Sequence, residues 1–242
     1  MHTLLILQFT AHTLADFNFQ PQTWCDVKNS KKISKVYFYH IAVVFVCSWV
    51  LSFSVSFWWA ALLIAAFHFL LDVTKSYLFR KGIAENYLFF IDQILHLLII
   101  TGVVYLFSKK ALIQYPPFIS INPVFILFAV IASSKPSNIF IKKYMEANNI
   151  VIAKKEKDNE QLLKAGRVIG FLERVLSFIL ISFDQFAAVG FIIAAKSILR
   201  FKDSDTAQTE YLLIGSFLSF GIAILLGIAY SELILFISIC QI

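Results

Sequence analysis

The sequence contains few charged residues, and this shortage decides its class. Of its 242 residues only 15% are Asp, Glu, Lys or Arg, whereas 59% are hydrophobic and 26 are phenylalanine. Soluble domains are typically about 25% charged and about 45–50% apolar. The composition therefore excludes an ordinary water-soluble globule, a disordered chain and a DNA-binding domain as descriptions of the whole chain.

Cysteine is also scarce. The three cysteines, Cys25, Cys47 and Cys240, are odd in number and show no CxxC spacing. This excludes a disulfide-stapled secreted domain, and we interpret the thiols as reduced and without a functional role. A cleavable signal peptide is not expected, because no basic region precedes the first apolar run and because His12 and Asp16 interrupt that run.

Apolar runs long enough to cross a bilayer occupy most of the chain. A helix needs about 20 apolar residues to span a hydrocarbon layer of about 30 Å. The runs lie at about 2–20, 37–53, 58–79, 87–107, 119–134, 168–200 and 211–239. They predict an all-α fold, a polytopic transmembrane helical bundle of six or seven membrane helices. We expect an N-terminal four-helix membrane domain at 1–110 and a C-terminal membrane region at 111–242.

The connections between the runs carry further expectations. Only residues 54–57 separate the second and third runs, so these two helices should form an antiparallel pair. The fifth run is short and is followed by Pro136, which lacks a backbone donor and disfavours helix before it. This run therefore either spans with a break or re-enters the membrane. The hydrophilic stretch at 144–165 is expected to be a charged cytoplasmic helix or loop.

Basic residues between the apolar runs account for the net charge of +6. One connection holds Lys28, Lys31, Lys32 and Lys35, and a basic loop covers about 142–167. An excess of Lys and Arg marks cytoplasmic loops and is attracted to anionic headgroups. We therefore expect membrane lipids and no nucleic acid as partners, while self-association as a homo-oligomer stays open. If each run crosses the membrane in turn, Lys196, Arg200 and Lys202 lie on the outer side, against this rule. The topology of the C-terminal third therefore stays open.

Three of the apolar runs each carry one His and one Asp four residues apart. The pairs are His12 and Asp16, His68 and Asp72, and Asp92 and His96. Residues four apart share a helix face, and ionisable groups within a membrane are costly and mark function. The order reverses in the fourth run, which is antiparallel to the first and third. We therefore expect an Asp layer nearer the cytoplasm and a His layer about 6 Å deeper.

Imidazole and carboxylate groups that meet inside a bundle suit a divalent metal ion such as Zn, Mn or Fe. The candidate ligands are His12, His68, His96, Asp16, Asp72 and Asp92. Water bound to such an ion has a pKa of about 7 and can act as the nucleophile of a hydrolysis. The candidate catalytic residues are Asp16, Asp72, Asp92 and Lys75, and the candidate auxiliary residues are His40, Gln20 and Gln93. The leading hypothesis is a metal-dependent membrane hydrolase that acts on a lipid or membrane-associated substrate from the cytoplasm.

Other interpretations of the same residues stay open. A proton- or ion-coupled transporter would use the His and Asp residues as a relay, and it would need an aqueous path to the other membrane face. A scaffold would use them only for polar packing. Lys75 has three interpretations, since it can neutralise Asp72, bind a substrate phosphate or extend to the interface.

The C-terminal third carries weaker signals. Gly166 and Gly170 have the small-xxx-small spacing that permits close helix approach in a membrane, and Glu173 has cations on either side with which it can pair. Four cations are candidates for contacts to a lipid headgroup or phosphate: Arg167, Arg174, Lys196 and Arg200. Interfacial anchoring is the favoured interpretation of the same four residues.

These motifs together resemble a known family. They are the three His/Asp pairs with Gln20, Lys75 and Gln93, the stretch Gly-Arg-x-Ile-Gly-x-Leu-Glu-Arg at 166–174, and Ala-Lys-Ser-x-x-Arg-Phe at 195–201. The sequence is similar to an uncharacterised bacterial inner-membrane family, the domain of unknown function 3307, with the defining domain at about 3–107. The resemblance implies a multi-pass protein of the bacterial inner membrane and supplies no activity, substrate or cofactor.

Overall fold

A computed structural model describes residues 1–30, 34–110, 113, 115–150, 160–200 and 206–240, and the described residues are helical without a strand. The helices are α1 (His2–Thr13), α2 (Gln22–Ser30), α3 (Lys35–Leu51), α4 (Trp58–Arg80), α5 (Glu85–Lys110), α6 (Ile121–Ala132), α7 (Lys135–Ala147), α8 (Glu160–Ser182), α9 (Phe186–Arg200) and α10 (Thr206–Cys240). A π-helical turn, Leu14–Asn18, continues α1, and a short 3-10 turn, Val55–Phe57, precedes α4. The all-α prediction is confirmed for these residues.

The predicted runs and the observed helices differ at two places. The connection after the first run contains the helix α2, which was expected to be a loop. The run at 168–200 was expected to be one element, but it is broken between α8 and α9 at residues 183–185. Asp184 adopts a positive φ of 57° there, a left-handed conformation that Asp tolerates better than most residues. The central part of the predicted basic loop, 151–159, lies outside the described residues.

Several helices are long and apolar enough to cross a membrane. Among the described residues these are Val55–Arg80, Glu85–Lys110 and Glu210–Ile239, and a fourth span exists if α6 and α7 together form one broken span or re-entrant loop. The helices α3 and α9 are apolar but shorter. The chain is therefore a helical protein with three to four candidate membrane spans, and a count of six or seven stays a prediction.

Two compact units divide the chain, Met1–Ala132 and Ser133–Ile242. The first unit contains all of the predicted four-helix region, together with α6. In this unit α1 packs against α3, α5 and α6, and α4 packs against α3 and α5. Small residues on α4, Ala60, Ala61 and Ala65, are buried in the core beside Ile100 and Val104 of α5. Their short side chains permit the close approach of the two helices.

In the second unit α8 packs against α9 and α10, and α7 packs against α10. A Cβ atom at Gly227 would lie 2.5 Å from Cγ2 of Ile181, so this glycine permits the contact between α10 and α8. The close approach expected at Gly166 and Gly170 is not observed. A Cβ atom at Gly166 would meet nothing within 4 Å, and one at Gly170 would meet only the Arg174 side chain of its own helix.

Candidate metal centre

A buried stripe on each of two long helices changes from apolar to polar within the first unit. On α4 the buried positions Ile64, His68, Asp72 and Ser76 follow one another at intervals of four residues. This spacing keeps them on one helix face. The stripe of α5 has the same character, since Asp92 and His96 precede the apolar core residue Ile100. The packing that buries the apolar half of each stripe also buries the polar half.

The third pair is delivered by the end of α1. His12 lies in the last turn of α1, and Asp16 lies in the π-helical turn that follows. π-helical turns are rare and occur frequently at functional sites. The Asp16 carboxylate oxygen Oδ1 lies 3.8 Å from Nδ1 of His12. The wider turn thus holds both side chains of the pair on the side that faces α4.

The imidazole rings of the three pairs are direct neighbours. The ring centroids of His12 and His68 are 5.7 Å apart, those of His12 and His96 are 5.1 Å apart, and those of His68 and His96 are 4.1 Å apart. The fourth ring, His40 of α3, has its Nε2 2.9 Å from Nε2 of His68. Residues from four helices, far apart along the chain, therefore meet at one buried place.

Asp16 is at the centre of this group. Its Oδ1 lies 3.3 Å from Nε2 of His68 and 3.5 Å from Nε2 of His40. His40 also lies 3.7 Å from Oδ2 of Asp72, so it borders two carboxylates. The expected position of His40 close to the Asp residues agrees with these distances.

Two lysines supply positive charge to the carboxylates. Nζ of Lys75 donates to Oδ2 of Asp92 at 2.9 Å, and so Lys75 is paired with α5 and not with Asp72 of its own helix. Nζ of Lys28 donates to Oδ2 of Asp72 at 2.5 Å. Three carboxylates thus face two ammonium groups in a region of low dielectric, where unpaired charge is costly.

Lys28 is the site residue that sequence reasoning missed, because it was counted with the lysines of a cytoplasmic loop. It lies on α2 and only 5% of it is exposed. Its backbone carbonyl accepts hydrogen bonds from Arg80 and from the Tyr37 hydroxyl. With its amide in the orientation that satisfies both atoms, Gln20 accepts from the Lys28 ammonium at 2.9 Å. The amphipathic pattern of residues 22–30 is typical of a short helix, and this pattern was the sequence signal that could have indicated a buried Lys28.

Hydrogen bonds determine which histidine nitrogens are free to bind a cation. Nδ1 of His96 lies 2.8 Å from the backbone carbonyl of Asp92, which can only accept, so this nitrogen carries the proton. Nε2 of His12 lies 3.2 Å from Oε1 of Gln93, whose amide nitrogen faces Oδ2 of Asp92. The remaining nitrogens, Nε2 of His96 and Nδ1 of His12, are buried and have no hydrogen-bond partner. A neutral imidazole held by one nitrogen in this way presents the lone pair of the other to a metal.

Other buried atoms of the cluster share this property. Oδ1 of Asp16, Oδ1 of Asp92 and Nδ1 of His40 are also buried without a hydrogen-bond partner. Most buried polar groups in proteins are hydrogen-bonded, and exceptions call for an explanation such as an ion. The unpartnered atoms are carboxylate oxygens and imidazole nitrogens, which is the donor set that Zn, Mn and Fe prefer.

Among the residues that the structure describes, three groups of potential ligands each have their ligand atoms within 4.8 Å of one another. The first triad is His12, Asp16 and His68, the second triad is Asp72, Asp92 and His96, and the bridging group is His40, His68 and Asp72. Ligand atoms on opposite sides of an ion with bonds of about 2.0–2.2 Å are about 4.2 Å apart. Each group therefore brings its ligand atoms close to the separation that a shared cation requires.

The cations expected to contact lipid headgroups have other surroundings. Arg174 is 1% exposed and donates from Nε, Nη1 and Nη2 to the Ser133 carbonyl, Ser219 Oγ and Asn138 Oδ1 at 2.7–2.8 Å. Its guanidinium therefore lies inside the second unit, where a headgroup contact was expected at a surface. Lys196 is ion-paired with Glu173, in place of the arginine partners expected for that glutamate. Arg167 is exposed, and the Arg200 side chain lies outside the described part of the structure.

Cys25 lies on α2, three residues before Lys28, and is half-buried. Burial raises the pKa of the Cys25 thiol, and the nearby Lys28 opposes this shift. The Cys25 thiol is therefore more fully protonated at neutral pH than a free cysteine, which disfavours it as a nucleophile.

Fold and site together define a helical protein with candidate membrane spans and a buried His/Asp centre. Residues 4–136 match the family described as Protein of unknown function (DUF3307), which is more than half of the 242 residues, and the chain belongs to this family. The match includes every His/Asp pair and both lysines of the cluster. No curated protein and no solved structure matches the chain significantly. The resemblance to this family is thus confirmed over residues 4–136, whereas a location in the bacterial inner membrane stays a prediction. An activity has to be argued from the geometry.

Proposed function

We propose that this protein is a metal-dependent hydrolase embedded in the inner membrane of a bacterium, where it acts on a lipid or membrane-associated substrate from the cytoplasmic side. The unpartnered atoms of the cluster carry the proposal. His12 Nδ1 and Asp16 Oδ1 of the first triad and His96 Nε2 of the second triad are buried and make no hydrogen bond. Leaving such atoms unsatisfied costs about 1–3 kcal/mol each, and a divalent cation would remove that cost.

The hydrogen bonds of the cluster support separate roles for its residues. His12, His68 and His96 supply neutral nitrogens, and Asp16, Asp72 and Asp92 supply charge. His40 lies between Asp16 and Asp72 and is placed to take a proton from water. Gln93 orients His12, and Gln20 holds Lys28. These residues would hold a divalent cation, which would lower the pKa of a bound water to about 7 and so make it available as the nucleophile of a hydrolysis.

A transporter would use the same histidines as a relay, and the His40–His68 hydrogen bond of 2.9 Å favours such a path locally. The rest of the first unit does not extend it. Within the described part of this unit, each buried Asp, Glu, Lys, Arg or His side chain belongs to the cluster. Gln8, one turn of α1 before His12, and Ser48 do not extend the relay, because the side chain of each donates a hydrogen bond to the other residue. A hydrolase needs only one accessible side, and it therefore fits the arrangement better.

The test combines metal content with hydrolysis. Protein purified in mild detergent should contain at least about one Zn, Mn or Fe per chain by elemental analysis. Incubated in ¹⁸O-labelled water with a bacterial lipid extract, it should place ¹⁸O in a product detected by mass spectrometry.

The matched pair of variants is Asp72→Asn, which should lose metal and labelling, and Asp184→Asn, which changes an exposed residue of the second unit and should retain both. A metal content below about half an ion per chain, without recovery on adding any of the three metals, would overturn the proposal. Metal without ¹⁸O incorporation, together with ion-driven uptake into proteoliposomes, would favour the transporter.

A further inference from the structure

The potential ligands of the cluster divide into two complete sets. The first triad and the second triad share no residue, and each contains both imidazole and carboxylate donors. The bridging group connects them, since it takes His68 from the first and Asp72 from the second. Nε2 of His68 and Oδ2 of Asp72 are 3.9 Å apart. The two sets of ligands therefore adjoin, as neighbouring ligand sets must where two ions lie about 3.5–4 Å apart.

The unpartnered atoms divide in the same way. Two of them, His12 Nδ1 and Asp16 Oδ1, belong to the first triad, and two others, His96 Nε2 and Asp92 Oδ1, belong to the second. One cation can satisfy only the pair that it contacts. The other pair would stay buried without partners, which proteins avoid. A single ion thus leaves half of the observation unexplained.

We infer that the cluster holds two divalent cations side by side and takes a phosphate ester as its substrate. The inference rests on the proposed function and adds the number of ions and the chemical class of the substrate. Two divalent ions with three carboxylates and two ammonium groups leave an excess of three positive charges. The dianion of a phosphate monoester offsets two of these charges, whereas a neutral carboxylic ester offsets none.

The lysines strengthen the choice of phosphate. Each now bonds a carboxylate that a second ion would share, namely Asp72 or Asp92. When the carboxylates turn to the ion, the ammonium groups become available to phosphate oxygens. Lys75 is the more accessible of the two, because 27% of its side chain is exposed against 6% for Lys28. Lys75 therefore marks the side from which a phosphate group enters.

The reaction balances without a further co-reactant. The oxygen of a water molecule forms a bond to phosphorus while the bond from phosphorus to the ester oxygen breaks. A proton of the water passes to His40, and Lys75 gives a proton to the departing alcohol oxygen. Transfer of the proton from His40 to Lys75 then restores both groups, so that the products are an alcohol and inorganic phosphate.

The first measurement is the number of ions. Protein loaded with Mn²⁺ and passed through a desalting column should contain two ions per chain, and its electron paramagnetic resonance spectrum should show a spin-coupled pair. Asp16→Asn and Asp92→Asn should each retain one ion and lose the coupled signal, whereas Asp184→Asn should keep two. Circular dichroism and gel filtration of the variants show whether they are folded.

The second measurement identifies the substrate. Vesicles of phosphatidylcholine with 10% phosphatidic acid test a lipid phosphate, and p-nitrophenyl phosphate tests a soluble one; release of phosphate from either supports the inference, and the faster one names the source. A p-nitrophenyl carboxylate ester is the control, and the wild type should cleave it no faster than the Asp92→Asn variant does. Orthophosphate should bind the Mn²⁺-loaded protein, and Lys75→Met should weaken this binding at least tenfold.

The outcomes distinguish a failure of the two-cation inference from a failure of the proposed function. One ion per chain in the folded wild type, with hydrolysis of some lipid intact, would overturn the two-cation site and leave the proposed function standing. Two ions without orthophosphate binding or phosphate release would overturn the substrate class. No bound ion would overturn both the inference and the proposed function.

Discussion

Each of the two units buries a polar group, and the two groups differ in how they are satisfied. In the second unit, Arg174 donates three hydrogen bonds to protein oxygens at 2.7–2.8 Å. In the first unit, His12, His96 and Asp16 each keep a buried atom without a partner. The arginine holds α8 to α10 and to the segment around α7. The His/Asp cluster holds helices together as well, but it keeps donor atoms available.

This difference teaches how to distinguish a structural polar group from a functional one within a membrane-type interior. Ionisable residues are costly in both units, so their presence alone does not distinguish the two cases. The completeness of the hydrogen bonding does. Two hydroxyls of the second unit, Ser133 Oγ and Ser177 Oγ, are also without a hydrogen-bond partner, but they are neutral and are not the ligands that Zn, Mn or Fe prefer. We expect function where several unpartnered charged or basic atoms converge.

The largest expected effect comes from removing one unpartnered ligand atom. His96→Leu keeps the approximate volume of the side chain and deletes Nε2. Hydrolysis should fall about 100-fold or more, because even residues that only orient metal ligands change activity or affinity by about 10–100-fold. The free energy of unfolding of the metal-free protein should fall by no more than about 1 kcal/mol, because leucine removes one hydrogen bond, from Nδ1 to the Asp92 carbonyl, and Nε2 has none to lose.

Elemental analysis, the hydrolysis assay and denaturant titration in detergent check this prediction. His2→Leu is the matched control, because His2 lies ten residues before His12 on α1, about 15 Å along the helix axis. Equal metal content and activity in His96→Leu and wild type would show that the unpartnered nitrogen has no functional meaning.

The next largest effect is expected in the second unit, where stability should fall while metal content stays the same. Arg174→Met leaves three oxygen acceptors without their donor. We expect a loss of about 2 kcal/mol in the free energy of unfolding, because hydrogen bonds between membrane helices contribute about 0.6 kcal/mol each on average and unsatisfied buried groups cost more. Metal content should not change. Arg167→Met, at an exposed position of the same helix, should be neutral in the same titration.

A smaller loss of stability is expected from a methyl group at the closest contact of the second unit. Gly227→Ala places a Cβ atom 2.5 Å from Ile181, so one of the two helices has to shift. The expected cost is about 1–2 kcal/mol, measured as a lower denaturation midpoint. Gly166→Ala is the control, because a Cβ atom there meets nothing within 4 Å. If both substitutions were equally harmless, the contact between α8 and α10 would be looser than the structure shows.

The smallest expected effect concerns α2, which brings Lys28 to the cluster. Because burial raises the pKa of Cys25, its thiolate fraction at pH 8 is below that of a free thiol, and the rise of reactivity shifts to higher pH. A variant in which Cys47 and Cys240 are replaced keeps Cys25 as its one cysteine. At pH 8, iodoacetamide should alkylate this cysteine at least about threefold more slowly in the folded protein than in protein unfolded with SDS. Equal rates would mean that α2 does not pack as described.

Much of the first unit was predictable from local pattern. The four-residue spacing of His68 and Asp72, and of Asp92 and His96, places each pair on one helix face wherever the helix lies. The short connection at 54–57 predicts an antiparallel pair, and the structure has only a 3-10 turn between α3 and α4. The break at Asp184 was less accessible, because no proline or glycine marks it, although the polar residues Asp184 and Gln185 interrupt the apolar run there.

The partners of the lysines were not predictable. Lys75 is one turn from Asp72 along its own helix, yet it bonds Asp92 of α5. Lys28 looks like a loop lysine in the sequence, yet α2 buries it against Asp72. Arg174 looks like an interfacial cation, yet it is enclosed. In each case the side chain is long, so that its partner depends on which neighbouring helix comes within reach.

The amino-acid sequence by itself determined the helical class, the apolar outer surface and the helix face on which each His and Asp lies, because these follow from composition and from the 3.6-residue period of a single helix. Only the tertiary structure decided that four imidazoles and three carboxylates meet, which of their atoms are already satisfied and that they divide into two triads. Those facts depend on the packing of α1, α3, α4 and α5 against one another, and the contacts between helices are not encoded in the period of any one of them.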